Sequence, residues 1–497
     1  MNALPLEIYT ADQVRALDRA ASAALGEPTY TLMLRAGEAA FALLRRVWPS
    51  ARRVVVVCGP GNNGGDGYVL ARLAREAHLD VVALTTVDTA GLKGDARRAH
   101  DEYLGAAGVV EPWREARLVG ADVIVDAMFG TGLSRPLDAQ AITRIDAMNA
   151  SGAPILALDI PSGLHADTGA VLGAAVEADH TISFVGLKLG LYLGEGPDHV
   201  GAVACDQLGA PAEVLSSIAP SARRIDEREL ARLLPRRRRT THKGAQGKVL
   251  IVGGGLGMAG AARMAGEAAL RVGAGLVTVA TRPENVAAVV AARPELICRA
   301  VQSAEADLQP LLAQADVVAL GPGLGQDDWA QEVFAAAIGA GKSLVIDADG
   351  LNLLARNPQR GECWVLTPHP GEAARLLNAE TSAIQRDRLG SVRALSERYG
   401  GVAVLKGAGT LVQIPGELTL ICDRGNPGMA TPGMGDVLTG VIAGIAAQIG
   451  EAPKAAALGV LVHAMAGDLG AARGERGMIA TDLFMHLQQC VNPAPHT

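Results

Sequence analysis

The chain has 497 residues, of which 49% are hydrophobic and 3% aromatic, and its net charge is −7 at pH 7. This length allows about two to four domains, and the lack of a basic excess argues against a nucleic-acid partner. Six scattered cysteines without CxxC spacing and the lack of a long uncharged apolar stretch favour a cytoplasmic protein without disulfides, a zinc site or a membrane span.

The predicted elements alternate between helices and strands from the beginning of the chain. An amphipathic helix is predicted at Thr10–Ala24. The strands predicted after it are Arg53–Cys58, Val81–Thr85, Val123–Asp126, Ile155–Asp159 and Thr181–Val185 in the first half, and Lys248–Val252, Leu276–Ala280, Val317–Leu320, Leu344–Asp347, Trp364–Thr367 and Val402–Lys406 in the second. Continuous apolar runs between helices predict an α/β fold with parallel sheets covered on both faces. A polar, irregular segment at about Gly209–Gly247 predicts a domain boundary near residue 218.

Two segments match the pattern GxGxxG directly after a predicted strand, at Gly59–Gly64 and Gly255–Gly260. Glycines there allow a tight turn whose amide groups face a phosphate at a helix N-terminus. A dinucleotide-dependent dehydrogenase also needs a carboxylate at the end of its second strand. The second strands end instead in Thr85-Thr86 and Ala280-Thr281, so the sequence argues against hydride transfer.

Polar side chains follow three predicted strands of the first half. They are Asn62, Asn63 and Asp66 after the first, Asp126 at the end of another, and Asp159 with Ser162 at the end of the next. Ligands in an open α/β sheet bind beyond the carboxyl ends of the strands, so these residues are predicted to converge on one site. Their oxygens suit an alkali or alkaline-earth cation, although asparagine also serves in turns and a lone aspartate in helix caps. Lys188 is either a substrate contact or a solvated lysine.

In the second half, the glycine-rich loop Asn426–Gly435 places Asp436 at the start of the apolar helical stretch Val437–Ala447. Free amide groups there can stabilise a transferring phosphoryl group, and Asp436 can accept a proton from an attacking hydroxyl. The alternative is that Asp436 only caps the helix. Upstream, Lys406–Thr410 is a candidate contact for adenine, ribose or phosphate, and Glu372 either reaches magnesium or favours a helix dipole.

Taken in order, these motifs resemble a known family across nearly the whole chain. GPGNNGGDGYV (Gly59–Val69), DAMFGTGLSRP (Asp126–Pro136) and DIPSG (Asp159–Gly163) are similar to an epimerase domain for hydrated NAD(P)H. HKGAQGKVLIVGG (His242–Gly254), PHPGEAARLL (Pro368–Leu377), KGAGT (Lys406–Thr410) and GMGDVLTG (Gly433–Gly440) are similar to a ribokinase-like dehydratase for the same damage. The fused arrangement resembles the bifunctional NAD(P)H-hydrate repair enzymes of bacteria.

The resemblance implies a Rossmann-like three-layer α/β/α sandwich with epimerase activity at residues 1–217. It implies a ribokinase-like α/β domain with ADP-dependent dehydratase activity at residues 218–497. The substrates would be NADHX and NADPHX, which are nicotinamide cofactors hydrated at ring carbon C6. The first domain would interconvert their R and S epimers, and the second would phosphorylate the C6 hydroxyl of the S epimer so that phosphate can leave. The implied cofactors are K⁺ in the first domain and Mg²⁺ in the second, and a homo-oligomer is compatible with the sequence.

The resemblance also assigns residues to roles, with Asp159 as the acid–base group of epimerisation and Asp436 as the base of dehydration. The epimerase substrate would contact Asn62, Asn63, Gly64, Gly65, Asp66, Gly130, Thr131, Gly132, Leu133, Ser134, Arg135, Pro136 and Asp159. The potassium ligands would be Asn63, Asp126 and Ser162. The dehydratase would contact the hydrate through Ala262, Gly323, His369 and Asp436, and the nucleotide through Lys406, Gly407, Ala408, Gly409, Thr410 and Gly435.

Three positions depart from the family pattern. Arg35 stands where members often carry an acid, Met434 replaces a smaller residue, and His369–Glu372 only loosely matches the Asn-x-x-Glu of sugar kinases. Two other functions stay open: a kinase for hydroxymethylpyrimidine or thiazole with an accessory nucleotide-sensing domain, and a non-enzymatic nucleotide-recognition module. The complete set of first-half motifs argues against the former, and the three aspartates at the predicted sites argue against the latter.

Overall fold

The computed structural model describes residues 4–492, which divide into two compact units between Arg223 and Arg224. The strands of the first unit are β1 (Glu7–Tyr9), β2 (Arg53–Cys58), β3 (Asp80–Thr85), β4 (Val109–Pro112), β5 (Val123–Ala127), β6 (Ile155–Leu158), β7 (His180–Phe184), β8 (Leu187–Lys188), β9 (Ala202–Asp206) and β10 (Ala222–Arg224). Its helices are α1 (Ala11–Leu25), α2 (Thr29–Val47), α3 (Asn62–Glu76), α4 (Gly94–Gly105), α5 (Ala139–Asn149), α6 (Gly196–His199) and α7 (Ala212–Ser217).

The main sheet of the first unit is parallel throughout, in the order β4-β3-β2-β5-β6-β7-β9. Val54 and Val56 of β2 enter the core shared with α1 to α4, whereas Val55 and Val57 enter the core shared with α5. Both faces are therefore covered, which explains the unbroken valine run. The strand order reverses between β2 and β5, so the carboxyl ends of these two strands open a crevice for a ligand.

A short strand precedes the main sheet and places the first helix. Ile8 of β1 pairs with Leu187 in parallel and with Ala222 in antiparallel orientation. α1 begins directly after its N-cap residue Thr10, whose hydroxyl accepts from the amide of Gln13 in a capping box. This arrangement fixes where α1 starts, because a capping box satisfies two otherwise unpaired donors at the helix N-terminus.

The second unit has the same alternation of strands and helices. Its strands are β11 (Lys248–Val252), β12 (Leu276–Thr281), β13 (Ile297–Ala300), β14 (Val317–Leu320), β15 (Ser343–Ile346), β16 (Trp364–Leu366), β17 (Val402–Leu405), β18 (Thr410–Gln413) and β19 (Thr419–Cys422). Its helices are α8 (Arg228–Leu233), α9 (Ala259–Arg271), α10 (Val286–Ala292), α11 (Gln309–Gln314), α12 (Asp328–Gly339), α13 (Ala348–Arg356), α14 (Pro370–Leu377), α15 (Thr381–Arg386), α16 (Arg388–Tyr399), α17 (Met434–Ile449), α18 (Ala452–Gly470) and α19 (Phe484–Cys490).

Within the second unit the sheet runs in the order β13-β12-β11-β14-β15-β16-β17-β18-β19. The strands from β13 to β17 are parallel, and β18 and β19 extend the sheet in antiparallel orientation. The order reverses between β11 and β14, and α17 packs over these strands and against α9 and α18. Most of α17 is therefore buried, and these contacts hold its first turn in place.

One helical stretch, Ala452–Arg473, is long and apolar enough to cross a membrane, but 67% of its most apolar window is buried inside the protein. This stretch includes α18, which packs against α17 and α19. Its apolar character is therefore explained by its place in the core.

The predicted α/β class is confirmed, and each predicted strand has a counterpart within one residue at either end. The segment at about Gly209–Gly247 was predicted to be polar and irregular, but part of it is regular. It contains α7, β10 and α8, whose apolar residues Val214, Ala222 and Leu230 are buried.

Candidate functional sites

Asp126 lies at the carboxyl end of β5 and is completely buried. Its carboxylate accepts hydrogen bonds from the hydroxyl of Ser162 at 2.6 Å, the amide of Ser162 at 2.7 Å and the amide of Met128 at 3.1 Å. Burial raises the pKa of Asp126 to about 6, although the bonds from Ser162 oppose this rise. Asp126 thus fastens the loop after β5 to the loop after β6.

Asp159 follows β6 with a φ of +67° and a side chain that is 15% exposed. One carboxylate oxygen pairs with the ammonium group of Lys188, and the other accepts from the amide of Thr131 at 3.3 Å. Lys188 is completely buried and also donates to the Ser183 hydroxyl at 2.9 Å and the Phe184 carbonyl at 3.0 Å. The alternative of a solvated Lys188 is therefore wrong, because this lysine is buried and pairs with the carboxylate of Asp159.

The charge of Asp159 contributes to raising the pKa of two further acids, Asp66 and Asp18. Burial, followed by the charges of Asp159 and Asp18, raises the pKa of Asp66 well above its usual range. Burial also raises the pKa of Asp18 to about 6, with Lys188 opposing and Asp159 reinforcing the rise. Asp18 lies on α1 and was not predicted as a site residue, because its partners are remote in the chain. Both carboxyl groups therefore keep their protons to a higher pH than an ordinary aspartate does.

α3 begins at Asn62 without a side-chain cap, so its first amide groups are available to an anion. The side chain of Asn63 is buried, and neither its oxygen nor its nitrogen has a hydrogen-bond partner among residues 4–492. A Cβ atom added to Gly130 would lie 3.1 Å from the Asp159 carboxylate and 3.4 Å from Cβ of Asn63. Asn63, Gly130 and Asp159 therefore border the same space.

The other predicted epimerase contacts differ in exposure. The exposed residues are Asn62, Gly132, Ser134, Arg135 and Pro136. The half-buried ones are Asp66, Thr131 and Leu133, and the buried ones are Gly64 and Gly65. Buried glycines can offer a ligand only their backbone. Arg15 of α1 donates to the carbonyl of Thr131 at 3.0 Å, so α1 supports the loop after β5.

In the second unit, Asp436 lies in the first turn of α17, after Gly433 with a φ of +92°. The carboxylate is partly exposed. Burial, reinforced by the charge of Asp347 and opposed by Lys406, raises the pKa of Asp436 to about 7. A carboxylate with such a pKa is well suited to act as a general base near neutral pH.

An ion pair lies directly against the turn that carries Asp436. The ammonium group of Lys406 donates to Asp347 at 2.8 Å and lies 3.7 Å from Glu372, and Thr439 donates to Asp347 at 3.0 Å. A Cβ atom added to Gly435 would lie 3.2 Å from the Lys406 nitrogen and 3.3 Å from the Asp347 carboxylate. Burial would raise the pKa of Asp347, but Lys406 lowers it, so both members stay charged beneath Gly435.

His369 and Glu372 form a capping box at the start of α14. The ring nitrogen Nδ1 of His369 accepts from the amide of Gly371 at 3.0 Å, and Glu372 accepts from the amide of His369 at 2.8 Å. Desolvation lowers the pKa of His369. Because Nδ1 accepts hydrogen bonds, the proton of the neutral ring lies on Nε2, which is 3.5 Å from the Glu372 carboxylate. Glu372 lies in the first turn of α14, where its charge favours the helix dipole, as one of the two predicted alternatives had it.

The loops after β11 and β14 are tied together. Gly254 donates to the Pro322 carbonyl at 3.0 Å and Gly255 donates to the Gly323 carbonyl at 2.6 Å. Ala262 of α9 and Gly323 of the loop after β14, both predicted to contact the hydrate, are buried. The side chain of Met434 is also buried, so this departure from the family pattern lies on the core side of α17.

The predicted nucleotide loop, residues 406–410, connects β17 to β18 in a hairpin. Gly407 and Ala408 are exposed, whereas Gly409 and Thr410 are half-buried. The sequence did not identify Asp347 or Thr439 as members of a site, and it left Lys188 as either a substrate contact or a solvated lysine. An aspartate that ends a strand before a small loop was a usable signal for Asp347.

Comparison with known proteins adds independent information. A family model described as NAD(P)H-hydrate dehydratase matches residues 249–489, and one described as YjeF-related protein N-terminus matches residues 29–190. The chain is 47% identical over 487 residues to the bifunctional NAD(P)H-hydrate repair enzyme Nnr of Coxiella burnetii, which covers 98% of this chain and 99% of that protein. It is 46% identical to the enzyme of the same name from Escherichia coli, with 99% of this chain and 95% of that protein covered.

A solved structure of a ribokinase-like superfamily protein from Enterococcus faecalis is similar to 54% of this chain and 94% of its own, at 29% identity and a TM-score of 0.50. The predicted ribokinase-like fold is thereby confirmed.

Proposed function

The chain belongs to the bifunctional NAD(P)H-hydrate repair enzymes, and we propose that it epimerises NADHX and NADPHX in its first unit and dehydrates their S epimers in its second, using ADP. The observation that carries the second activity is Asp436, a partly exposed acid at a glycine-bounded helix start, with a pKa raised to about 7 beside a buried ion pair. The first activity rests on the Asp159–Lys188 pair at the crevice of the other sheet. The cytoplasm, where NAD(P)H circulates, is the proposed location.

Dehydration begins when the carboxylate of Asp436 accepts the proton of the C6 hydroxyl. The hydroxyl oxygen then attacks the terminal phosphorus of ADP, and AMP leaves. The lone pair of the ring nitrogen expels phosphate from C6, and loss of a proton from C5 restores the dihydronicotinamide. The first amide groups of α17 and the charge of Lys406 would stabilise the phosphoryl oxygens, since both lie where negative charge develops.

Epimerisation requires only that hydroxide leave C6 and that water return on the opposite face. The ring nitrogen assists departure by forming an iminium ion. We assign Asp159 to activate the water, because Lys188 fixes its carboxylate at the mouth of the crevice. Asp66, whose raised pKa favours the protonated form, would supply the proton to the departing hydroxide.

K⁺ fits the first unit. The buried amide oxygen of Asn63 lacks a hydrogen-bond donor, and Asp126 and Ser162 contribute further oxygens nearby along the same strand ends. When bound, the ion would supply a fixed positive charge for the substrate. In the second unit, no three His, Cys, Asp or Glu side chains of the described residues are grouped to hold a metal. Mg²⁺ would therefore be held mainly by nucleotide phosphates and water.

The test is recovery of the dihydronicotinamide absorbance from an equal mixture of R and S hydrates with ADP and magnesium. We expect full recovery. Recovery of only the S half would remove epimerisation from the proposal. No recovery, together with phosphorylation of hydroxymethylpyrimidine or a thiazole alcohol, would favour a small-molecule kinase instead.

A further inference from the structure

Arg388 is the first residue of α16, and it is only 5% exposed. Arginine is seldom buried to this degree unless an anion pairs with it, because a charged group loses its hydration when it leaves water. Burial lowers the pKa of Arg388 to about 10, a value at which the guanidinium group is still charged at neutral pH. A cation is thus held inside the second unit.

The partners of Arg388 are neutral. Its Nη1 donates to the side-chain oxygen of Gln385 at 3.1 Å. Its Nη2 lies 3.4 Å, 3.3 Å and 3.5 Å from the carbonyl oxygens of Leu405, Lys406 and Gly409. Its Nε has no hydrogen-bond partner among the described residues. No carboxylate of residues 4–492 pairs with this guanidinium group, so its charge is compensated only by peptide dipoles.

These contacts determine which way the nucleotide loop, residues 406–410, faces. In a trans peptide, the carbonyl of one residue and the amide of the next point in opposite directions. Because the Lys406 carbonyl points inward to Arg388, the amide of Gly407 points outward. Within the described part of the chain, the amides of Gly407, Ala408 and Gly409 donate no hydrogen bond. The loop therefore offers free donors on the side opposite the buried cation.

The glycines of this loop are needed for the same arrangement. Gly407 has a φ of +133° and Gly409 a φ of +61°. A Cβ atom added to Gly407 would lie 3.1 Å from Nη1 of Arg388. A side chain at residue 407 would therefore strain the backbone and also press on the guanidinium group.

We propose that Arg388 is a positioning residue for the nucleotide: it anchors the carbonyls of loop 406–410 so that the loop amides face the bound nucleotide, and its uncompensated charge favours an anionic ligand there. This inference rests on the proposed nucleotide site. It adds to that site a residue eighteen positions before the loop, which touches no substrate itself.

The test compares Arg388→Met and Arg388→Lys in the full-length protein. We expect the KM for ADP to rise by about tenfold or more in Arg388→Met and by less in Arg388→Lys, which keeps the charge but loses the planar fork. The KM for the S hydrate should stay within about twofold, because the hydrate does not depend on this loop. Arg386→Met, an exposed arginine two residues earlier, is the matched control.

Calorimetric titration of ADP into each protein without hydrate separates the possible failures. If the wild type binds no ADP, the proposed nucleotide site fails first. If the wild type binds ADP and Arg388→Met binds it equally well, the inference is overturned. A lower thermal midpoint with unchanged ADP affinity would also overturn it, since that result marks a purely structural arginine. If Arg388→Met does not fold, the same criteria applied to Arg388→Lys decide.

Discussion

Lys188 and Lys406 have comparable positions in the two units. Lys188 ends β8 and Lys406 follows β17, and each pairs with an aspartate that follows a parallel strand, Asp159 after β6 and Asp347 after β15. A buried ion pair gives little net stability, but removing one partner leaves an uncompensated charge at a cost of about 3–5 kcal/mol. Such pairs therefore mark positions where a carboxylate or an ammonium group must keep one orientation, which catalysis requires of both sites.

At Asp436 the local charges set a pH dependence. The raised pKa of about 7 means that the carboxylate is protonated below this pH and ionised above it. Since the base must be ionised to accept the hydroxyl proton, kcat for dehydration should rise about tenfold per pH unit below neutrality and level off above it. Initial rates at saturating ADP and hydrate, from about pH 5.5 to about pH 8.5, measure this profile.

The terminal phosphate of ADP also titrates near this range. Asp436→Glu separates the two origins, because it moves the carboxyl group and should shift the inflection, whereas a nucleotide-derived inflection would stay in place. Asp436→Asn should lower kcat by about 10²–10⁴-fold. A wild-type profile that is flat through neutrality would contradict Asp436 as the base.

At the scale of elements, the central strands could be predicted because both faces of each sheet are covered. β2 and β11, for example, are runs of buried Val, Leu and Ile that no helix period interrupts. Edge strands were missed for the opposite reason. β4 and β9 contain half-buried or exposed residues, so their pattern resembles a loop.

The site residues likewise divide into those that the sequence could identify and those that it could not. Asp126 and Asp159 were proposed because each stands at a strand end before a loop that contains glycine, and Asp436 because it lies at the start of a helix directly after Gly435. Arg388 could not be identified, because its role depends on carbonyl groups that lie 17 to 21 residues away in sequence and carry no side-chain signal. The polar partners of a buried charge can be identified only once the fold brings them together.

The proposed potassium site depends on several elements, because α3 and the loops after β5 and β6 would form it jointly. We expect K⁺ to raise the thermal midpoint of the wild type relative to choline at equal ionic strength. A stabilisation of about 1–3 kcal/mol is expected at 10–100 times the dissociation constant. Asn63→Ala should lose this shift, because it removes the buried amide oxygen that lacks a donor.

Asn62→Ala is the matched control for this experiment, since Asn62 is adjacent and exposed. It should keep the full response to K⁺. An equal response in Asn63→Ala would exclude Asn63 as a ligand, whatever its effect on the stability of the ion-free protein. Na⁺ at the same concentration reports whether the site selects the larger ion.

In the molecule as a whole, the two units share the order of the first four strands of their parallel sheets. In both, the first strand of the parallel sheet is central, the next two lie on one side and the fourth begins the other side. Each places its predicted catalytic acids beyond the carboxyl ends near this reversal, where an open α/β sheet leaves a crevice. The C-terminal unit adds the antiparallel hairpin β18–β19, and loop 406–410, which leads into β18, is the proposed nucleotide site.

Because each unit has its own run of parallel strands and its own hydrophobic core, the two activities should be separable by single substitutions. Asp159→Asn should leave the R hydrate unrepaired while the S hydrate is dehydrated at the wild-type rate, and Asp436→Asn should repair neither epimer while still equilibrating them. Mixing equal amounts of the two variants should restore recovery of both epimers, because the S hydrate released by one protein can diffuse to the other. Absorbance recovery from pure R hydrate measures this complementation. The control is wild-type protein at a concentration that supplies the same number of intact sites of each kind. If the mixture recovers much more slowly than this control, the S hydrate does not exchange freely between molecules and must pass directly between the two sites of one chain.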